Sequence, residues 1–281
     1  MLYVVATPIG NLGDLSPRAV DVLRRVALIL VEDRRVSGKL LLHFGIDTPV
    51  RAYFDHNERA VYPGLLTQLE RGDDLALISD AGTPLLSDPG FHLVRAAQRA
   101  GLPVVAVPGP SAITAALSIA GFPAARFVFE GFLPNRSLAR RKRLAELASE
   151  PRTLVCFEAP HRIAGCLADA CEVLGAERDA FVGRELTKLF EEGHAGRLAA
   201  LREWLEANPT RRRGEFVLVI AGSPVQPLAD LEARRVLGVL LRRFSVSQAV
   251  AAASEILHAP ANRLYPIALQ LAGQTAAGKG E

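Results

Sequence analysis

Three short stretches carry the residue types from which a small-molecule site is built: Thr7-Pro8-Ile9-Gly10-Asn11, Ser79-Asp80-Ala81-Gly82-Thr83-Pro84 and Pro108-Gly109-Pro110-Ser111-Ala112. Glycine and proline permit tight turns and close approach of backbone to a ligand, while Asp80 and Ser111 add an acceptor and a hydroxyl. Each stretch directly follows a β-rich run, and ligands of open α/β sheets bind at the carboxyl ends of strands, so the three loops are expected to wall one cleft. None reads G-x-G-x-x-G, G-x-x-x-x-G-K-[ST] or G-x-S-x-G, which argues against a dinucleotide or triphosphate cradle, a dehydrogenase and an α/β-hydrolase nucleophile. The cleft suits a ligand without phosphate. Arginine supplies 29 of the 33 basic residues, and six basic residues against two acidic ones fall between 136 and 152, with a second cluster at Arg211-Arg212-Arg213. Arginine pairs bidentately with phosphate, so such clusters permit nucleic-acid contact, although taken alone a charge run is more often a solvated face.

The elements that must position these loops follow an α/β rhythm. Strands are expected at 2–6, 28–31, 75–78 and 104–107, separated by helical patterns; Ser16-Pro17 opens one helix with a capping hydroxyl and a first-turn proline, and Gly101 stops another after Phe91–Ala100. Composition changes near Gly121-Phe122-Pro123. Beyond it, strands at 126–130, 153–158, 179–184 and 215–221 alternate with helices near 137–149, 161–174 and 197–206. Past Ser223-Pro224 the pattern is purely helical, with two helices joined through His258-Ala259-Pro260 as a helix-turn-helix candidate and a small, polar tail from Gly273 expected to be disordered. The expected organisation is an N-terminal α/β domain at 1–117, a second α/β domain at 118–224 and a C-terminal helical region at 225–281.

The bulk properties agree with such a fold. At 281 residues, with 49% hydrophobic and 22% charged residues, the chain has the length for two domains and a small third, and is neither disordered, collagen-like nor coiled-coil. Its longest aliphatic run, Val26–Val31, is far below the roughly 20 residues of a bilayer crossing, and the N-terminus, Met-Leu-Tyr-Val-Val-Ala, has no basic n-region, so secretion and membrane spanning are not expected. Cys156, Cys166 and Cys171 lack C-x-x-C spacing, so no structural metal or disulfide framework is expected.

The motifs in order resemble the tetrapyrrole-methylase superfamily: the three loops above, the box Glu32-Asp33-Arg34-Arg35, Asp55-His56-Asn57-Glu58 and Ser87-Asp88-Pro89-Gly90. Glu130-Gly131-Phe132-Leu133-Pro134, Glu158-x-x-His161-Arg162, Arg184-Glu185-Leu186-Thr187-Lys188 and Arg213-Gly214-Glu215 narrow the resemblance to its branch that methylates ribosomal RNA. The resemblance spans residues 2 to about 270, with one departure, Arg34 where the box usually carries Thr. It implies two α/β domains with S-adenosylmethionine in the cleft between them, a homodimer in the cytoplasm, and 2'-O-methylation of a decoding-site cytidine in 16S rRNA or the small ribosomal subunit. Carried onto matching positions, Ile9, Asp80, Ala81, Gly82, Thr83, Ser111 and Ala112 would line the cofactor, with Phe157, Glu158 and Ala159 near its adenine.

For the substrate, Asp33, Arg35, His56, Asn57, Arg140, Arg141, Arg143, Arg162 and Arg184 are the candidates; His161-Arg162 opens a helix after a strand, an arrangement that suits a phosphate, and the stretch 136–143 would steer the RNA backbone. Loss of the ribose proton needs an acceptor, for which Asp33, His56, Glu130, Glu158, Glu185 and Lys188 are all of suitable type. Glu185 and Lys188 are favoured as catalytic residues because only four lysines occur in so arginine-rich a chain. The rivals are a sister C-methyltransferase acting on a corrinoid or sirohaem precursor, and a non-catalytic RNA-binding protein with a vestigial pocket. The box at 32–35 and the Arg184–Lys188 motif favour the RNA branch, and the intact loops disfavour the vestigial pocket.

Overall fold

The computed structural model describes residues 1–223 and 228–277. The chain divides into two units, Met1–Ser223 and Pro224–Glu281. In the first, strands β1 (Leu2–Val5), β2 (Leu28–Val31), β3 (Val50–Ala52), β4 (Leu75–Leu77) and β5 (Val104–Val107) form an all-parallel sheet in the order β3-β2-β4-β1-β5, connected by helices α1 (Pro17–Arg25), α2 (Arg34–His43), α3 (Asp55–Glu70) and α4 (Phe91–Arg99). The strands are nearly continuous apolar runs because both faces of a parallel sheet are covered. Tyr3, Val5, Ile29, Val31 and Ala76 pack under α1 and α2, whereas Leu2, Leu30, Leu75 and Leu77 pack on Leu65 and Leu69 of α3 and Leu93 of α4. Ser16 caps α1 by accepting from the Ala19 amide at 3.1 Å, with Pro17 in the first turn as the sequence predicts.

After β5 comes α5 (Ala112–Ala120), then a second sheet of β6 (Phe127–Phe132), β7 (Thr153–Glu158), β8 (Asp179–Arg184), β9 (Glu192–Arg197) and β10 (Phe216–Ile220), ordered β6-β7-β10-β8-β9. Only β6 and β7 run parallel; the other pairs are antiparallel. Helices α6 (Ser137–Leu147), α7 (Ile163–Leu174) and α8 (Leu198–Glu206) cover one face through Leu144, Cys166, Leu167 and Leu201. The other face receives α5, whose Ile113, Ala116 and Leu117 pack on Val155, Phe181, Val217 and Val219. The expected boundary at 117/118 therefore cuts a helix that follows the first sheet in sequence but is buried on the second. Two strands escape the sequence pattern. Three-residue β3 and β9, which carries Gly193 and Gly196, both lie at sheet edges, where little apolar surface needs covering.

The C-terminal unit packs α9 (Leu228–Leu240), α10 (Val246–Leu257) and α11 (Ala261–Ala277) around Leu237, Val250, Ala253, Leu264 and Ala268. Ser245 and Gln248 form the capping box of α10, and His258, at φ 47, turns the chain toward α11. The disordered tail expected from Gly273 is corrected as far as Ala277, since α11 continues through it; residues 278–281 lie outside the described part. Among the described residues no helix is long and apolar enough to cross a membrane.

Candidate active site

The strand-end loops of the first sheet converge because their backbones are tied to one another. Thr7 and Gly82 exchange both backbone hydrogen bonds, at 2.8 and 3.0 Å, the Thr7 hydroxyl donates to the Ser79 carbonyl at 3.0 Å, and the Thr83 hydroxyl donates to the Pro110 carbonyl at 3.1 Å. Gly82 has φ +85, a left-handed conformation that glycine alone adopts without strain. A Cβ on Gly109 would stand 3.1 Å from that of Ala6, so this glycine lets two loops touch.

These loops face the rim of the second sheet across a cavity of about 420 Å³. Ile9, Asp80, Ala81, Gly82, Thr83, Ser111 and Ala112 line one side, and Phe157, Glu158 and Ala159 line the other, so the ten residues expected around a cofactor share one cavity. Phe157 stands edge-on to Phe129 and Phe132, with ring centroids 5.0 and 5.7 Å apart, and makes that wall apolar. Glu158 contributes backbone rather than charge. Its buried carboxylate turns away to accept from the Ala159 amide at 2.8 Å and to pair with Arg162 at 2.9 Å. Leu86, Ser87, Asp88, Phe132, Leu186 and Glu215 also line it without having been singled out individually, although Ser87, Asp88, Phe132, Leu186 and Glu215 sit inside the motifs quoted above, and Glu32, Pro160, Phe216 and Val217 complete the lining. Among the described residues no Lys, Arg or His lines the cavity.

Most of the residues expected to contact substrate are engaged in contacts within the chain. Arg140 is 5% exposed and paired with Asp169 at 2.7 Å, so it is corrected from an RNA-steering residue to a peg between α6 and α7. Arg141 is paired with Glu172, and Arg143 with Glu130 and Glu146, both at 2.8 Å. Arg162 is no free phosphate ligand, because its guanidinium bonds Asn135, the Leu133 carbonyl and Glu158, the counter-charge that the buried Glu158 requires. Arg184 reaches the carbonyls of Arg213 and Phe190 at 2.7 and 3.2 Å and pairs with Glu192 at 3.0 Å, splinting the loops beyond β8. Asn57 caps α3, accepting from Phe54 and donating to the Ala52 carbonyl. His56 is exposed in the first turn of that helix. Asp33 caps α2 through the Arg35 amide at 2.7 Å and pairs with the Arg35 guanidinium at 3.0 Å; these hydrogen bonds hold its carboxyl below the usual range.

Glu185 and Lys188 do meet. The Lys188 ammonium lies 2.9 Å from Glu185 and 3.2 Å from Glu215, and Glu185 also accepts from the Glu215 amide at 2.9 Å. Burial opposes both charges, yet the mutual hydrogen bond and the Glu215 contacts outweigh it, holding Glu185 below and Lys188 above their ordinary values. The lysine stem crosses Gly10, where any Cβ would collide with its Cγ. Glu185 and Thr187 adopt positive φ, 50 and 68, strain of a kind that concentrates where a loop is held for function.

Comparison with known proteins agrees with this geometry. Residues 1–202 match the family of Tetrapyrrole (Corrin/Porphyrin) Methylases, and residues 227–272 match the RsmI C-terminal HTH domain. The chain is 52% identical over 265 residues to the Ribosomal RNA small subunit methyltransferase I of Xylella fastidiosa (strain Temecula1), covering 94% of this chain and 97% of that one. It is 50% identical to the protein of that name from Pseudomonas aeruginosa, over 277 residues and 98% of each chain. Among solved structures, the methyltransferase CobJ superposes with a TM-score of 0.58 at 17% identity, over 81% of this chain and 96% of that one. Uroporphyrin-III C-methyl transferase from Thermus thermophilus, complexed with S-adenosyl homocysteine, superposes with a TM-score of 0.53 at 19% identity, over 78% and 96%. Two sheets of this order, loops converging on one cavity and near-complete alignment identify the chain as a member of the ribosomal RNA small subunit methyltransferase I family of tetrapyrrole methylases.

Proposed function

We propose that this protein transfers a methyl group from S-adenosylmethionine to the ribose 2'-oxygen of a decoding-site cytidine in 16S rRNA. The observation that carries this reading is the chemistry of the cavity: Glu32, Asp80 and Asp88 line it together with apolar and aromatic side chains, and among the described residues no cationic one does. Such a wall repels phosphate and suits a sulfonium attached to an adenosine. The relatives named above are ribosomal RNA methyltransferases, and the Thermus enzyme of the same fold holds S-adenosyl homocysteine. When bound, the cofactor supplies an electrophilic methyl group.

The chain's own residues supply alignment. The Asp80–Thr83 turn and Phe157–Ala159 would hold the cofactor from opposite sides, and Glu185 and Lys188 would hold the rim that the ribose must pass. The ion pair keeps both groups charged, which suits a positioning role better than proton abstraction. Lys188→Ala is expected to lower the single-turnover rate about 10²-fold, the cost of misaligned reactants, with S-adenosylmethionine affinity unchanged within about threefold. Unchanged rates in both Lys188→Ala and Glu185→Ala would remove the pair from the site. The activity itself is tested by labelled methyl transfer to purified small ribosomal subunits lacking the modification, followed by nuclease mapping. Label on the ribose of one decoding-site cytidine is the expected result; label on a base, or none despite cofactor binding, overturns the proposal.

A further inference from the structure

Most groups suited to taking the ribose proton are already engaged. Asp33 pairs with Arg35, Glu130 with Arg143, Glu158 with Arg162, and Glu185 and Glu215 share Lys188. Asp80 accepts from the Asp33 amide at 3.2 Å and the Ser37 hydroxyl at 3.1 Å. Among the described residues three carboxylates on the cavity wall have no cationic partner: Asp80, already held by that amide and hydroxyl, Glu32 at the end of β2, and Asp88 in the loop between β4 and α4. Of the last two, Asp88 is the one the fold holds rigidly. Its loop carries Leu85 and Ser87 at φ 73 and 74, and Gly90 at φ 135 where a Cβ would stand 2.6 Å from Leu77. Buried Glu58 pins the far end by accepting from the Gly90 and His92 amides at 3.1 and 2.8 Å and from the Tyr53 hydroxyl at 3.0 Å. A Cβ on Gly131 of β6 would stand 3.0 Å from Ser87 Oγ, so the loop reaches across to the second sheet beside the cavity.

Resting on the function proposed above, we infer that Asp88 is the general base of the methyl transfer, held at the cavity wall by the strained loop 85–90. The ribose 2'-oxygen forms its bond to the methyl carbon, the carbon–sulfur bond breaks with its electron pair kept by sulfur, and the hydroxyl proton passes to a carboxylate oxygen of Asp88 and from there to water. The surroundings suit this role. Burial is the main cause pushing the Asp88 carboxyl up to about 6; the Ser79 hydroxyl opposes it, and the charges of Asp80 and Asp55 add to it. Glu32, raised by burial and by the charges of Asp88, Asp80, Asp55 and Asp33, faces the same cluster. A base serves best when its own value lies near the working pH.

Single-turnover methyl transfer to unmodified small subunits, measured from pH 5 to 9 for the wild type and for Asp88→Asn, tests the assignment. The wild-type rate should rise with pH and level off above an ionisation near 6. Asp88→Asn should lose about 10²-fold or more together with that acid limb, while Asp88→Glu regains part of both and calorimetric affinity for S-adenosylmethionine stays within about threefold. Stability reads the same group independently of activity. An acid raised in the folded chain stabilises it below the usual carboxylate range and loses that contribution as pH rises to about 6, so Asp88→Asn should melt progressively higher relative to wild type between pH 4 and 7. An Asp88→Asn rate within about threefold of wild type, an acid limb that survives in it, or one that disappears in Glu32→Gln instead, overturns the assignment and leaves the proposed function standing. Absence of transfer by the wild type overturns both.

Discussion

Arg140→Ala is expected to lower the unfolding free energy of the Met1–Ser223 unit by about 3–5 kcal/mol, the cost of orphaning one member of a buried ion pair. Arg140 lies in a run of four consecutive basic residues, the pattern of a nucleic-acid-facing surface, yet its side chain is only 6% exposed and that of Asp169 10%. Its Nε donates to Asp169 at 2.7 Å, its Nη1 lies 3.3 and 3.4 Å from the Asn135 and Pro134 carbonyls, and Ser137 donates to the other Asp169 oxygen at 2.8 Å. The pair fastens the start of α6 and the Pro134-Asn135 turn onto α7. Removing the guanidinium leaves Asp169 buried with one hydroxyl partner. Urea denaturation followed through Trp204, the single tryptophan and a member of the same unit, measures the loss. Arg141→Ala, which severs only an exposed pair with Glu172, should cost less than about 1 kcal/mol. Equal effects of the two substitutions would refute the buried peg.

The same helix marks where sequence pattern stops informing. A loop after a strand is legible in sequence because its chemistry is local: Gly82 is needed for its own φ, Gly109 for contact with Ala6, and Ser16 and Pro17 for the turn they begin. Central strands such as Phe216–Ile220 are legible because burial on both faces demands five apolar residues in a row. The partner of a charged side chain is not local. Arg140 meets an aspartate 29 positions away and Arg143 a glutamate 13 positions away, so a run that reads as one basic patch folds into separate ion pairs. Likewise α5 follows the first sheet along the chain, and its small apolar residues would suit either sheet; only the assembled fold puts them on the second. Asp88 appears in sequence as an ordinary turn residue before a proline. Its environment is made by burial and by Asp80 of the same loop together with Asp55 and Glu32 arriving from two other segments, which no spacing rule encodes.

Gly82→Val should abolish measurable S-adenosylmethionine binding, or weaken it by about 10²-fold or more. Gly82 occupies φ +85, a conformation costing a β-branched residue about 1–3 kcal/mol, and its Cβ would press on Ile9 Cγ2 at 3.3 Å, the side chain that lines the cavity from the neighbouring loop. The residue cannot relax without giving up the two backbone hydrogen bonds to buried Thr7, worth about 0.5–1.5 kcal/mol each. Because each tenfold change in affinity is about 1.4 kcal/mol, strain of this size, released by moving the Asp80–Thr83 wall, translates into a loss of two decades or more. Gly82→Ala meets the same backbone penalty with a smaller side chain and should lose about tenfold. The effect belongs to the pocket if calorimetric titration with S-adenosylmethionine shows the loss while the thermal midpoint of the unliganded protein falls by no more than a few degrees, as strain confined to one loop allows. Wild-type affinity in Gly82→Val would mean that the turn is a scaffold only, and that the cofactor is held from the Phe157–Ala159 side without it.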